Sequence, residues 1–310
     1  MASSSKKVIY AALLGNALIA FTKFIAAAVT GSSAMLSEGI HSTVDTGNQM
    51  LLLYGLRRAK KPADALFPFG YGKEVYFWSF VVAILIFAVG AGVSVYEGIH
   101  RLGHSRPMEN FKVSYIVLGL AVLFEGVTWL IALKTFAKTK GRRGYIEAVH
   151  REKNPSVFVV LFEDSAALLG LLIAFVGILM GQLTGNSRYD GLASILIGLI
   201  LGIAAIWLAY ETKGLLVGES AQPEVVRDIR RMAGGYPEIE HVNEILTLHM
   251  GPEFILVNLS VDFKDSVSAD TLERAVQKLD RQIKQAHPLV KRVFIEGEAR
   301  RSPDFAGTCP

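Results

Sequence analysis

Residues 155–181 read PSVFVVLFEDSAALLGLLIAFVGILMG, an apolar run whose only ionisable groups are the adjacent carboxylates Glu163 and Asp164. A helix that crosses about 30 Å of hydrocarbon needs about 20 residues of this kind. Carboxylates in the middle of such a helix are costly and mark an ion path. Working outward, comparable blocks at 8–30, 33–56, 74–100, 112–136 and 190–214 each predict a further span. The N-terminal part therefore reads as an α-helical membrane bundle of six transmembrane helices. Gly218 marks a change of pattern, because beyond it charged residues alternate with short apolar runs.

The bulk composition agrees. Across 310 residues, a hydrophobic content of 51% and a mean hydropathy of +0.38 exceed those of ordinary soluble domains. The net charge of +4 and pI near 9.0 do not point to nucleic acid, since the basic residues lie beside the apolar blocks. Six crossings place both termini on one side, together with Lys6, Lys7, Arg57, Arg58, Lys60, Lys61, Lys73 and the basic stretch 138–153. Only Arg101, Arg106 and Arg188 lie in the opposite loops, so the positive-inside rule makes the shared side cytoplasmic. The single cysteine, Cys309, excludes a disulfide framework or a cysteine metal cluster within one chain. Residues 1–7 are short and polar, and the first block keeps Lys23 without a convincing cleavage site, so it reads as a retained helix in a bacterial inner membrane.

Small residues at four-residue spacing, Ser194, Gly198 and Gly202 or Ala88 and Gly92, predict close helix packing and no chemistry. After Gly218 a helix at 223–234, strands at 241–249 and 254–263, a helix capped by Ser268 and a strand at 291–296 predict a small α+β domain. The expected division is 1–217 in the membrane, 218–300 as the α+β domain and 301–310 as a tail.

The chemistry is carried by ionisable groups inside the predicted spans. Glu38, His41 and Asp45 project from one face of the second span, and Glu163 and Asp164 lie in the fifth. Glu125 and Lys23 complete the set. Any one of these groups alone is equally well read as a packing hydrogen bond or an internal ion pair, Lys23 with Glu38 for example. Together, one imidazole and several carboxylates make a borderline donor set that favours zinc over calcium or magnesium as the transported ion. No prosthetic group is expected. Gly70, Gly72 and Lys73 lack phosphate-loop spacing, and the glycosylation pattern Asn258-Leu259-Ser260 falls within a predicted cytoplasmic strand.

The run Ser37-Glu38-Gly39-Ile40-His41-Ser42-Thr43-Val44-Asp45-Thr46-Gly47-Asn48-Gln49 resembles the second-helix signature of the cation diffusion facilitator family. The resemblance extends through Phe67-Pro68-Phe69-Gly70-Tyr71-Gly72-Lys73-Glu74, Leu161-Phe162-Glu163-Asp164, Tyr189-Asp190-Gly191 and Gly218-Glu219-Ser220-Ala221-Gln222-Pro223-Glu224. Glu163-Asp164-Ser165-Ala166-Ala167 with Asn154-Pro155 looks most like the zinc transporter nine branch and its bacterial relatives. The resemblance implies a homodimer, a cytoplasmic metallochaperone-like, ferredoxin-like αββαβ domain, and metal efflux by proton antiport. It implies a transport site of His41, Asp45 and Asp164. A histidine found in many zinc-transporting members is here Val160, so Glu163, Glu38, Asn48 or water would complete the metal's shell. Phe67 and Tyr71 replace loop histidines of some relatives, and Asn243 and Asn258, with Glu296 and Glu298, stand where others bind further metal. Lys73 and Glu224 match a charge interlock between relatives' protomers. Cobalt, iron and manganese are alternative cargoes. An intramembrane metalloenzyme and a non-transporting metal sensor are alternative functions, although the HExxH pattern is missing.

Overall fold

A computed structural model describes residues 2–104, 111–140, 144, 148–149 and 153–300. Arg106, Arg142, Arg143, Arg151 and the expected tail 301–310 lie outside the described residues. The chain forms two compact units: residues 1–61 with 74–213, and residues 62–73 with 214 onward.

The first unit is helical. Its elements are α1 (Ala2–Thr30), α2 (Ser33–Arg58), α3 (Glu74–Leu85), a π-helical turn (Ile86–Ala91) leading into α4 (Gly92–Gly103), α5 (Phe111–Lys140), α6 (Pro155–Thr184) and α7 (Arg188–Val217). Local chemistry places the ends. Gly31, in the left-handed region at φ 67°, stops α1, and the Ser32 hydroxyl accepts the Met35 amide at 3.2 Å to start α2. Asn154 caps α6 with Pro155 in the first turn, and Gly185 at φ 68° ends it.

Among the described residues, five stretches are long and apolar enough to cross a membrane: Leu13–Thr30, Glu74–Gly103, Phe111–Lys138, Pro155–Thr184 and Arg188–Val217. The sixth expected span, α2, has the length at 26 residues but not the hydropathy, because Glu38, His41, Asp45, Asn48 and Gln49 all lie on it. Its polar side chains are buried against the bundle, where α1, α3 and α6 pack on it. Leu14, Phe21, Leu123, Leu172 and Ile203 instead point outward. Polar groups inside and large apolar groups outside invert the soluble pattern, as lipid solvent requires.

Small residues bring α4 and α7 together. A Cβ on Gly198 would come 2.9 Å from Ala91 O, and one on Gly98 would come 2.6 Å from Gly191 O. Backbone approach of this kind needs no other explanation.

The second unit follows the order α8 (Pro223–Gly234), β1 (Ile239–Gly251), β2 (Phe254–Phe263), α9 (Ala269–Ala286) and β3 (Val290–Gly297). Central β2 pairs antiparallel with β1 and parallel with β3, giving a mixed three-stranded sheet. Alternating Val257, Leu259 and Val261 meet Ile229 and Ala233 of α8 and Leu279 and Ile283 of α9 in one core. The segment 62–73 belongs to this unit and is internally bonded: Asp64 accepts the Leu66 and Phe67 amides and the Tyr71 hydroxyl, the last at 2.6 Å.

Candidate metal centre

The centre is built on α2. Spacings of three and four residues set Glu38, His41, Asp45, Asn48 and Gln49 along its inward side, and all are 2% exposed or less. The structure divides this row into two clusters.

In the first, His41 Nδ1 stands 3.3 Å from Asp45 Oδ1 without hydrogen-bond geometry. Neither ring nitrogen of His41 has a hydrogen-bond partner, and neither has Asp45 Oδ1. Across the interface, α6 supplies Glu163, whose Oε1 accepts from Asn48 Nδ2 at 2.6 Å and whose Oε2 accepts from Gln49 Nε2 at 3.4 Å. Asn16 of α1 donates to Gln49 Oε1 at 3.5 Å, closing a chain of amides around Glu163. Asp164 is equally buried, near Thr128 and Glu125 of α5, and its Oδ2 is unpartnered. The Asp45 carboxyl lies close enough to Glu163, Asp164 and Glu125 to feel their charge. Val160, one turn before Asp164, is fully buried and offers no donor.

In the second cluster Lys23 of α1 donates to Glu38 Oε2 at 2.9 Å, Glu125 Oε1 at 2.8 Å and Ser42 Oγ at 2.9 Å. Glu38 is thus turned toward Lys23 rather than toward His41. Of the weaker candidates, Glu163 and Asn48 are bonded to each other. Among the described residues, no group of three or more His, Cys, Asp or Glu converges closely enough in this conformation to hold a metal ion.

Five buried carboxylates in this region face one lysine. Charges of one sign removed from water need protons or a cation beside them, so the region is chemically disposed to take up positive charge.

Four further neutral polar residues, none of them a candidate ligand from the sequence, complete the surroundings. Asn16, Ser42, Gln49 and Thr128 line the clusters, and the available signal was helical spacing: Gln49 lies four after Asp45, and Asn16 lies seven before Lys23. Asp190 also acquires a local role. It is fully buried, accepts the Ser32 hydroxyl at 2.6 Å and the Ala34 amide at 3.4 Å, and lies 3.8 Å from Arg101 Nε. It therefore ties the start of α7 to the start of α2 and the end of α4.

Residues 9–217 match the cation efflux transmembrane domain. The chain belongs to the cation efflux family. This family transports ions and is not a family of enzymes. Among similar proteins, the mitochondrial proton-coupled zinc antiporter SLC30A9 of Mus musculus is 30% identical over 94% of this chain and 58% of its own length. Metal tolerance protein C4 of Arabidopsis thaliana is 30% identical over 84% of this chain and 57% of its own. The manganese efflux system protein MneP of Bacillus subtilis is 23% identical over 83% of this chain and 84% of its own. The chain spans little more than half the length of the first two relatives.

In the second unit of this cation efflux protein, Asn243 Nδ2 donates to Glu298 O at 2.9 Å and to Ser260 Oγ at 3.3 Å, and Ser260 donates to Glu298 Oε2 at 2.8 Å. Asn258 lies in register with Leu246 and Phe294 across the sheet. Asn243, Ser260 and Glu298 form a hydrogen-bonded tie between β1, β2 and the residue after β3. Lys73 Nζ donates to Leu216 O at 3.4 Å, and Glu224 lies 3.8 Å from Arg227 at the surface.

Proposed function

We propose that the protein exchanges a divalent metal ion, zinc in the first place, for protons through a site of His41, Asp45 and Asp164. The observation that carries this reading is the deeply buried His41–Asp45 pair, whose ring nitrogens and Oδ1 have no hydrogen-bond partner. Unpartnered polar atoms in a dry interior are costly, and a cation that accepts their lone pairs removes that cost.

His41 and Asp45 lie on α2 and Asp164 on α6, so a relative shift of these two packed helices would close or open the set. Metal needs the imidazole neutral and the carboxylates ionised, so protons and metal compete for the same lone pairs and metal affinity falls as pH is lowered. Protons arriving from one side expel the ion, and its arrival from the other side expels protons. Glu163, fixed by Asn48 and Gln49, supplies neighbouring negative charge or the fourth donor.

In this reading α2 is a sixth span shielded from lipid by its neighbours, both termini are cytoplasmic, and the αββαβ unit is a metallochaperone-like domain that joins two protomers. Support comes from the positive-inside distribution and from the strand order.

The experiment is metal-driven proton movement in proteoliposomes. Wild-type protein acidifies or alkalises the lumen according to the metal gradient, and His41→Ala and Asp45→Ala do not. Unchanged fluxes in both variants sink the proposal. Manganese is the second reading, favoured by Val160 in place of a fourth nitrogen donor and by the preponderance of carboxylates. A panel of zinc, manganese, cobalt and iron in the same vesicles decides between them.

A further inference from the structure

Lys23 is fully buried, and its ammonium meets three oxygens: Glu38 Oε2 at 2.9 Å, Glu125 Oε1 at 2.8 Å and Ser42 Oγ at 2.9 Å. An ammonium has three donors and no acceptor, so each of its hydrogens is matched. Two carboxylates and a hydroxyl, drawn from α2 and α5, form the oxygen surround that hard cations take.

The surround has capacity beyond what the lysine uses. Glu38 Oε1 and Glu125 Oε2 are buried with no hydrogen-bond partner. Glu38 Oε1 lies against α6 at Gly170, where an added Cβ would come 2.5 Å from it. Two ionised carboxylates carry twice the charge that one ammonium supplies, and a divalent ion in the place of the ammonium would balance both.

We infer that Glu38, Glu125 and Ser42 form a second intramembrane cation site, and that Lys23 fills it as a cation tethered to α1. Its covalent attachment keeps this site from exchanging, which limits each protomer to the one mobile ion proposed for His41, Asp45 and Asp164. The limit on mobile ions rests on that earlier reading; the second site does not. Oxygen donors alone select a hard ion, so the site freed of its lysine takes Mn2+ in preference to softer metals.

The test counts Mn2+ bound to the full-length protein in detergent, by equilibrium dialysis followed by electron paramagnetic resonance. Lys23→Met binds one more Mn2+ per protomer than wild type, Lys23→Arg binds no more, and Lys23→Met/Glu125→Gln returns to the wild-type count. Lys23→Met/Asp45→Asn keeps the added ion, so a failure of the His41 reading shows in Asp45→Asn alone and leaves this comparison intact. If Lys23→Met is loosened without metal, Mn2+ raises its unfolding temperature but not that of Lys23→Met/Glu38→Gln/Glu125→Gln. A folded Lys23→Met that binds no more Mn2+ than wild type, or one that stays unfolded in Mn2+, overturns the inference.

Discussion

The α1–α2–α5 cluster around Lys23 and the α2–α6 cluster around His41 use the same kinds of side chain at the same level of burial, yet they are finished differently. Around Lys23 each ammonium hydrogen has an oxygen at 2.8–2.9 Å. Around His41 both ring nitrogens, Asp45 Oδ1 and Asp164 Oδ2 are left without partners. The Lys23 cluster carries a cation built into the chain, although Glu38 Oε1 and Glu125 Oε2 keep no hydrogen-bond partner there, whereas the His41 cluster has no such cation among its neighbours. On the function proposed above, structural and exchangeable cation positions within a few residues of one helix differ in whether the positive charge is covalently attached.

The comparison can be broken most sharply at Asp45. Asp45→Asn keeps the shape and removes the charge, and transport measured in proteoliposomes should fall to the empty-vesicle rate. Lys23→Met should act on stability instead. Leaving Glu38 and Glu125 buried without their cation costs about 3–5 kcal/mol, read as a lowered unfolding temperature in metal-free detergent. A Lys23→Met protein as stable as wild type would remove the contrast between the clusters.

Val160→His tests what the His41 cluster lacks. Placing an imidazole one turn before Asp164 should raise zinc transport relative to manganese by roughly tenfold, about 1.4 kcal/mol, in a direct competition assay. Gly170→Ala should perturb the Lys23 cluster by crowding Glu38 Oε1, with a cost of about 1–3 kcal/mol. The smallest effect is expected outside both: Asn243→Ala breaks the tie to Ser260 and Glu298 and should cost about 1 kcal/mol while transport is retained.

Much of this was legible in the chain. Among the described residues, five helices long and apolar enough to cross a membrane follow from apolar length alone, and the order of helices and strands after Gly218 follows from period and caps. The sixth expected span, α2, lacks the hydropathy of the others, because the candidate ligands and their polar neighbours lie on it. His41 and Asp45 were found together because four residues of helix bring them to one face. The partition of Glu38 away from His41 was not decided by spacing. It depends on Lys23 and Glu125, which lie 15 residues before it and 87 after it in the chain.

By itself, the sequence determined that costly charges lie within lipid-length helices, since composition and periodicity are local properties. Only the tertiary structure decided which carboxylate neutralises which cation. That choice is made by packing between α1, α2, α5 and α6, where in a medium that cannot hydrate ions a contact of 2.8 Å rather than a position in the chain sets the partner.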